Sequence, residues 1–154
     1  MAQHSAIIRW SRNNDDFKAN KHSRGHEWEF DGGLKVPASS SPHIVPIPYS
    51  VEENVDPEEA FIASLSSCHM LFYLHMARDA GFVVNSYEDE ATGELTKNAE
   101  NKMAVTKVTL NPVVSYEGPT PTKDQIEHMH HQAHDHCFIA NSVTTEIITN
   151  TDRS

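Results

Sequence analysis

From Ala60 to Ala77 the chain runs eighteen residues without a single Asp, Glu, Lys or Arg. That length touches the lower limit for a membrane span. The run nevertheless carries Ser64, Ser66, Ser67, His69 and His75 and has neither an aromatic belt nor a basic flank. It reads instead as a helix buried on nearly all sides in a soluble core. Its ends are well marked. Asp56 can cap it, Pro57 suits the first helical position, and Glu59 completes a capping box. Gly81 closes it, with Arg78 near the negative end of the dipole. A helix over about 57–80 is roughly 36 Å long and must be the central pillar of the fold.

Short β-rich segments surround it. Ala6 to Trp10 and His26 to Phe30 read as strands, and Asp31-Gly32-Gly33 as a turn into Leu34 to Val36. Phe82 to Leu95 reads as a strand region broken near Thr92-Gly93. Met103 to Tyr116 alternates as a further strand, with Pro112 at an edge or bulge. Thr122-Lys123-Asp124-Gln125 offers a second capping box for a helix to about His136, and Val143 to Thr149 is the last strand. Pro37 to Asn54, with Pro42, Pro46 and Pro48, is an extended linker or a loop over a cleft. The pattern is α+β, expected as one domain over residues 1–154. So small a chain cannot shield so apolar a helix on every side, and a dimer burying two such helices together is the economical solution.

Twelve Lys and Arg stand against 22 Asp and Glu, a formal net charge of -10. Nucleic acid and anionic membrane surfaces need a cationic footprint, so both are excluded as partners. Met1 to Trp10 lacks the apolar core of a signal peptide, which points to a cytoplasmic address. There a permanent disulfide is disfavoured. The two cysteines, Cys68 and Cys137, are then either inert core thiols or a working redox pair.

Cys68 lies mid-helix, with Ser64, Leu65, Leu71 and Phe72 on its face. An apolar setting alone leaves a thiol protonated and unreactive, so reactivity needs a cation or donors from elsewhere. Cys137 ends the second helix and precedes a polar turn. A fixed attacking thiol and a more mobile resolving thiol would be arranged this way, although no CxxC motif is present. His128, His130, His131, His134 and His136 are the competing feature. His130 and His134 at i, i+4 and His131 and His134 at i, i+3 have metal-ligand spacing, with Glu127 on the same face. Ile126, Met129 and Ala133 mark the buried stripe of that helix, which leaves most of its histidines outward. His69 points about 100° away from Cys68 and reads as a packed or hydrogen-bonded core histidine.

Asp56-Pro57-Glu58-Glu59, then Ala63-Ser64-Leu65-Ser66-Ser67-Cys68-His69, and far downstream Ala133-His134-Asp135-His136-Cys137-Phe138-Ile139-Ala140-Asn141 resemble the OsmC/Ohr superfamily over roughly residues 55–150. The resemblance implies a cysteine-based, thiol-dependent peroxidase for organic hydroperoxides. It implies an OsmC-like α+β fold, with antiparallel sheets wrapped around a long buried central helix in an intertwined homodimer and sites at the subunit interface. Cys68 would be the peroxidatic thiol, Cys137 the resolving thiol, and Glu58 the carboxylate that holds a catalytic arginine. No arginine lies between His43 and Pro57, where one branch of the family carries it. Arg24, on an early loop as in another branch, is the candidate, with His26 or His43 as substitutes. No bound cofactor or metal is implied, and a lipoyl-type dithiol is the expected reductant.

Ten residues of helix separate Glu58 from Cys68, roughly 15 Å along the axis. The simplest geometry therefore has Glu58 of one subunit serve Cys68 of the other. The alternative is a non-catalytic binding protein of the same fold, using the interface cleft for an apolar ligand or the His128–His136 cluster for a metal.

Overall fold

Strands β1 (Ala6–Arg9), β2 (His26–Phe30) and β3 (Lys35–Ala38) form an antiparallel sheet in that order. The computed structural model describes residues 1–154, in two compact units, and this sheet belongs to the first, Met1–Ala60. The β2–β3 turn closes where Gly33 adopts φ +90°, which a side chain rarely tolerates, and donates its N–H to Phe30 O at 2.8 Å. The proline-rich segment after β3 is tied down at both ends. Val55 accepts from Ser39 N at 2.9 Å and donates to Pro37 O at 3.1 Å, while Asn54 Nδ2 donates to Ala38 O.

Helix α1 (Pro57–Asp79) starts at the capping box read from the sequence. Glu59 N donates to Asp56 Oδ1 at 2.8 Å, and Asp56 N donates to Glu59 Oε2 at 3.1 Å. Gly81, at φ +86°, ends it. Within the single chain the helix buries one stripe, Leu65, His69, Tyr73 and Ala77, spaced i, i+4. It was expected to be covered on nearly all sides, yet Leu71 on the opposite face is 60% exposed. One chain has too few elements to cover more.

In the second unit, Phe61–Ser154, β4 (Val83–Asp89) pairs antiparallel with β7 (Pro112–Glu117). There β5 (Thr92–Lys97) pairs antiparallel with β6 (Met103–Leu110), and β6 pairs in parallel with β8 (Glu146–Thr149). Helix α2 (Lys123–His136) begins at the Thr122–Gln125 capping box, and a short 3-10 turn (Ala140–Ser142) follows Cys137. Tyr73 and Ala77 of α1 pack with Met129 and Ala133 of α2, and Leu65 packs with Val108 and Leu110 of β6.

Three boundaries differ from expectation. The Phe82–Leu95 region breaks at Glu90-Ala91, just before Thr92. Met103–Tyr116 is two strands in two sheets, because Asp89 Oδ1 captures Asn111 N at 2.6 Å and Pro112 has no N–H to continue a ladder. The last strand starts at Glu146 rather than Val143, since the residues after Cys137 turn first.

Candidate functional site

The second unit brings together the two cysteines, which stand 69 positions apart in sequence. Both are free thiols; Cys68 is partly exposed on α1 and Cys137 is 1% exposed at the C-cap of α2. Burial, and next the neighbouring Cys68 side chain, push the Cys137 thiol up to about 11. Ala140 N donates to Cys137 Sγ at 3.4 Å and partly offsets this. Cys137 therefore stays protonated near neutral pH, while Cys68 is the sulfur that solvent can reach.

Of the residues expected around Cys68, Leu65 is buried and Leu71 is largely exposed. Phe72 packs edge-on against Phe138 at 5.1 Å and stacks near His136 at 6.1 Å. Phe138, itself 71% exposed, was not singled out in the sequence. Its signal was only its place beside Cys137.

His69 is a buried, hydrogen-bonded histidine as expected. Its partner corrects the reading of α2. His130, left out of the expected buried stripe, is 2% exposed, with its Nδ1 2.9 Å from His69 Nε2. Burial holds both rings well below the ordinary 6.5, His69 at about 4 and His130 at about 3. His128, His131 and His136 do face solvent, and His131 pairs with Asp135 at 3.3 Å. No three His, Cys, Asp or Glu side chains converge as a metal would need.

In the first unit, Arg24 and Glu58 line one pocket of about 430 Å³, with Ile8, Trp10, Phe17 and Ile44 as apolar walls. No ion pair joins them. Arg24 Nη1 donates to His22 O and its Nη2 to Asn20 Oδ1, both at 2.5 Å. His22, overlooked in the sequence, stacks on Phe17 at 4.4 Å and lines the same pocket. His26, offered as a substitute for Arg24, is fully engaged. Its Nδ1–H donates to Arg24 O at 2.7 Å, which leaves Nε2 to accept from Trp28 Nε1 at 3.0 Å. His43 is exposed and does not line the pocket.

A partly exposed thiol on a long helix, neighbouring a buried protonated thiol at the end of a second helix, defines a two-thiol protein of α+β fold. Residues 51–152 match the OsmC-like protein family, and the chain belongs to it. An OsmC-like protein of unknown function from Vibrio cholerae is 56% identical, with 97% of this chain and 99% of that one covered and a TM-score of 0.95. An organic hydroperoxide resistance protein from Elizabethkingia anophelis has a TM-score of 0.71 at 14% identity, over 97% and 93% of the two chains. Another, from Legionella pneumophila, has a TM-score of 0.70 at 16% identity, over 97% and 96%. At those identities the likeness is one of fold. No curated protein matches the chain in sequence.

Proposed function

We propose that the chain is a cysteine-based peroxidase that reduces organic hydroperoxides. The observation that carries this reading is the pair of neighbouring free thiols, one partly open to solvent and one buried and held protonated. The Cys68 thiolate attacks a peroxide oxygen, the O–O bond breaks, and the alkoxide leaves, taking a proton from solvent to become the alcohol. Sulfur loses two electrons and becomes a sulfenic acid. Cys137 then attacks that sulfur; the S–S bond forms, the S–O bond breaks, and water leaves with the Cys137 proton. A dithiol of lipoyl type restores both thiols. The names of the two organic hydroperoxide resistance proteins support the substrate class. Phe72 and Phe138 beside the thiols support an apolar substituent on the peroxide.

Hydroperoxides with bulky alkyl or aryl groups are consumed faster than hydrogen peroxide, since each buried CH₂ adds about 0.8 kcal/mol of binding. Peroxide depletion with dihydrolipoamide as reductant measures this. Equal or faster turnover of hydrogen peroxide removes the organic-substrate reading.

The working form in this proposal is a cytoplasmic homodimer in which Glu58 and Arg24 of one subunit serve Cys68 of the other. Glu58 orients the guanidinium, and the guanidinium favours the thiolate. Leu71, 60% exposed on α1, supports a second copy packed against that helix. Mixing Glu58→Ala with Cys68→Ser protein under subunit exchange recovers activity, because one interface of the heterodimer then holds both intact groups. If the residues act within one subunit, mixing restores nothing.

A further inference from the structure

A line of hydrogen bonds crosses the second unit from α1 to the segment after β8. His69 Nε2 and His130 Nδ1 are 2.9 Å apart, His130 Nε2 and Ser154 Oγ are 2.9 Å apart, and Ser154 Oγ donates to Pro112 O at 3.0 Å. The proton inventory fixes its direction. A carbonyl only accepts, so the single hydroxyl proton of Ser154 is committed to Pro112 O. Ser154 Oγ must then accept from His130 Nε2–H. Neutral His130 accepts at Nδ1, so His69 Nε2–H is the donor. The two rings lie parallel within 8°, and Tyr73 stacks on His130 at 4.1 Å.

The rest of the α1–α2 seam is apolar, formed by Tyr73 and Ala77 with Met129 and Ala133. Such contacts hold two helices together but are non-directional, so they tolerate small slips in register. The histidine pair is directional and tolerates none. It sits beside the chemistry, for His69 follows Cys68 directly and His130 lies on the helix that Cys137 ends. We propose that His69 and His130 are positioning residues for the disulfide step, pinning the Cys68 helix against the Cys137 helix so that the two sulfurs meet. The proposal rests on the peroxidase reading for its purpose, but not for its test.

The test is the effective concentration of the Cys68–Cys137 pair, measured by equilibration in glutathione redox buffers, with the thermal midpoint recorded in parallel. His69→Leu fills the space without a donor. It lowers the effective concentration at least tenfold, about 30 mV in potential. His69→Gln places an amide N–H near the position of Nε2 and restores most of it. After one equivalent of cumene hydroperoxide, the sulfenic acid trapped by dimedone at Cys68 accumulates in His69→Leu at an unchanged rate of formation. A folded His69→Leu protein with wild-type effective concentration overturns the proposal, as does Gln doing no better than Leu. If His69→Leu does not fold, His130→Asn, which keeps an acceptor, is compared with His130→Phe, which keeps only the stacked ring; equality of those two overturns it. Failure of the wild type to consume hydroperoxides would sink the peroxidase reading alone, because the glutathione equilibrium would still report on the pair.

Discussion

Cys68→Ser abolishes organic hydroperoxide consumption, while Cys137→Ser completes one turnover and then stops. Two environments separate the roles. With its thiol pushed up to about 11, Cys137 is thiolate in only about one molecule in 10⁴ at pH 7. At 1% exposure it is also closed to a peroxide. Cys68 is therefore the thiol left to attack. A serine hydroxyl there costs on the order of a thousandfold or more in rate, as removal of a nucleophile does. In the proposed cycle Cys137 acts afterwards, on a sulfur already oxidised, where its place beside Cys68 replaces diffusion. In Cys137→Ser the sulfenic acid forms and remains, and dimedone labels Cys68 in proportion to the peroxide consumed. Rapid-mixing depletion with one equivalent of peroxide separates the two variants. Equal loss of the first turnover in both would remove the division of labour.

The features legible in the sequence are those written locally. Both capping boxes, Pro57 at the first helical position and Gly81 at the end of α1 are side-chain and backbone chemistry within a few residues, and the structure has all of them. The two cysteine segments were legible for the same reason; the meeting of their sulfurs depends on how α2 docks on α1. The break at Asn111 was hidden because its cause, Asp89, stands 22 residues upstream.

His130 is the instructive miss. With Ile126, Met129 and Ala133 it completes an i, i+3, i+4, i+7 stripe. The spacing alone puts it inward. Its polarity and its four histidine neighbours made it look like surface, and only the partner ring of His69 makes its burial tolerable. His26 errs the other way. Its partner Trp28 was two residues along the same strand face, so its engagement could have been read from strand geometry. Arg24 and Glu58 line one pocket. The guanidinium, however, is held by the backbone and side chain of its own loop.

Acidification from pH 7 to pH 5 lowers the unfolding free energy by roughly 4 kcal/mol through His69 and His130 alone. In the folded chain both rings titrate below the ordinary 6.5, at about 4 and about 3. The unfolded chain thus binds protons first as pH falls, and each histidine costs about 1.4 kcal/mol per pH unit below 6.5. The contribution is fully present above pH 6.5 and is lost progressively down to about pH 3. Burial is the main cause at both rings; at His69 the nearby His134 adds to it, and Asp89 of β4 opposes it. Tyr73, Tyr87 and Tyr116 around the pair are held neutral by burial and add no charge. The hydrogen-bond order explains why the second proton is the damaging one. A first proton can enter at the lone pair of His69 Nδ1 and leave the line intact. A second, on His130 Nδ1, faces the His69 Nε2–H donor, and the bond between the helices is lost. Against a total stability of about 5–15 kcal/mol, that loss is a large share of what holds the chain folded in weak acid. Glu29 and Asp79, whose carboxyls are held below their ordinary 4.5 and 3.8 chiefly by hydrogen bonds from Arg9 and Arg78, join only at lower pH. Urea unfolding midpoints measured between pH 7 and pH 4.5 isolate the histidines. The wild type shows a steep decline, and His69→Gln with His130→Asn, which keeps a donor facing an acceptor and removes both titrating rings, flattens it. Parallel slopes in the two proteins would place the acid sensitivity elsewhere.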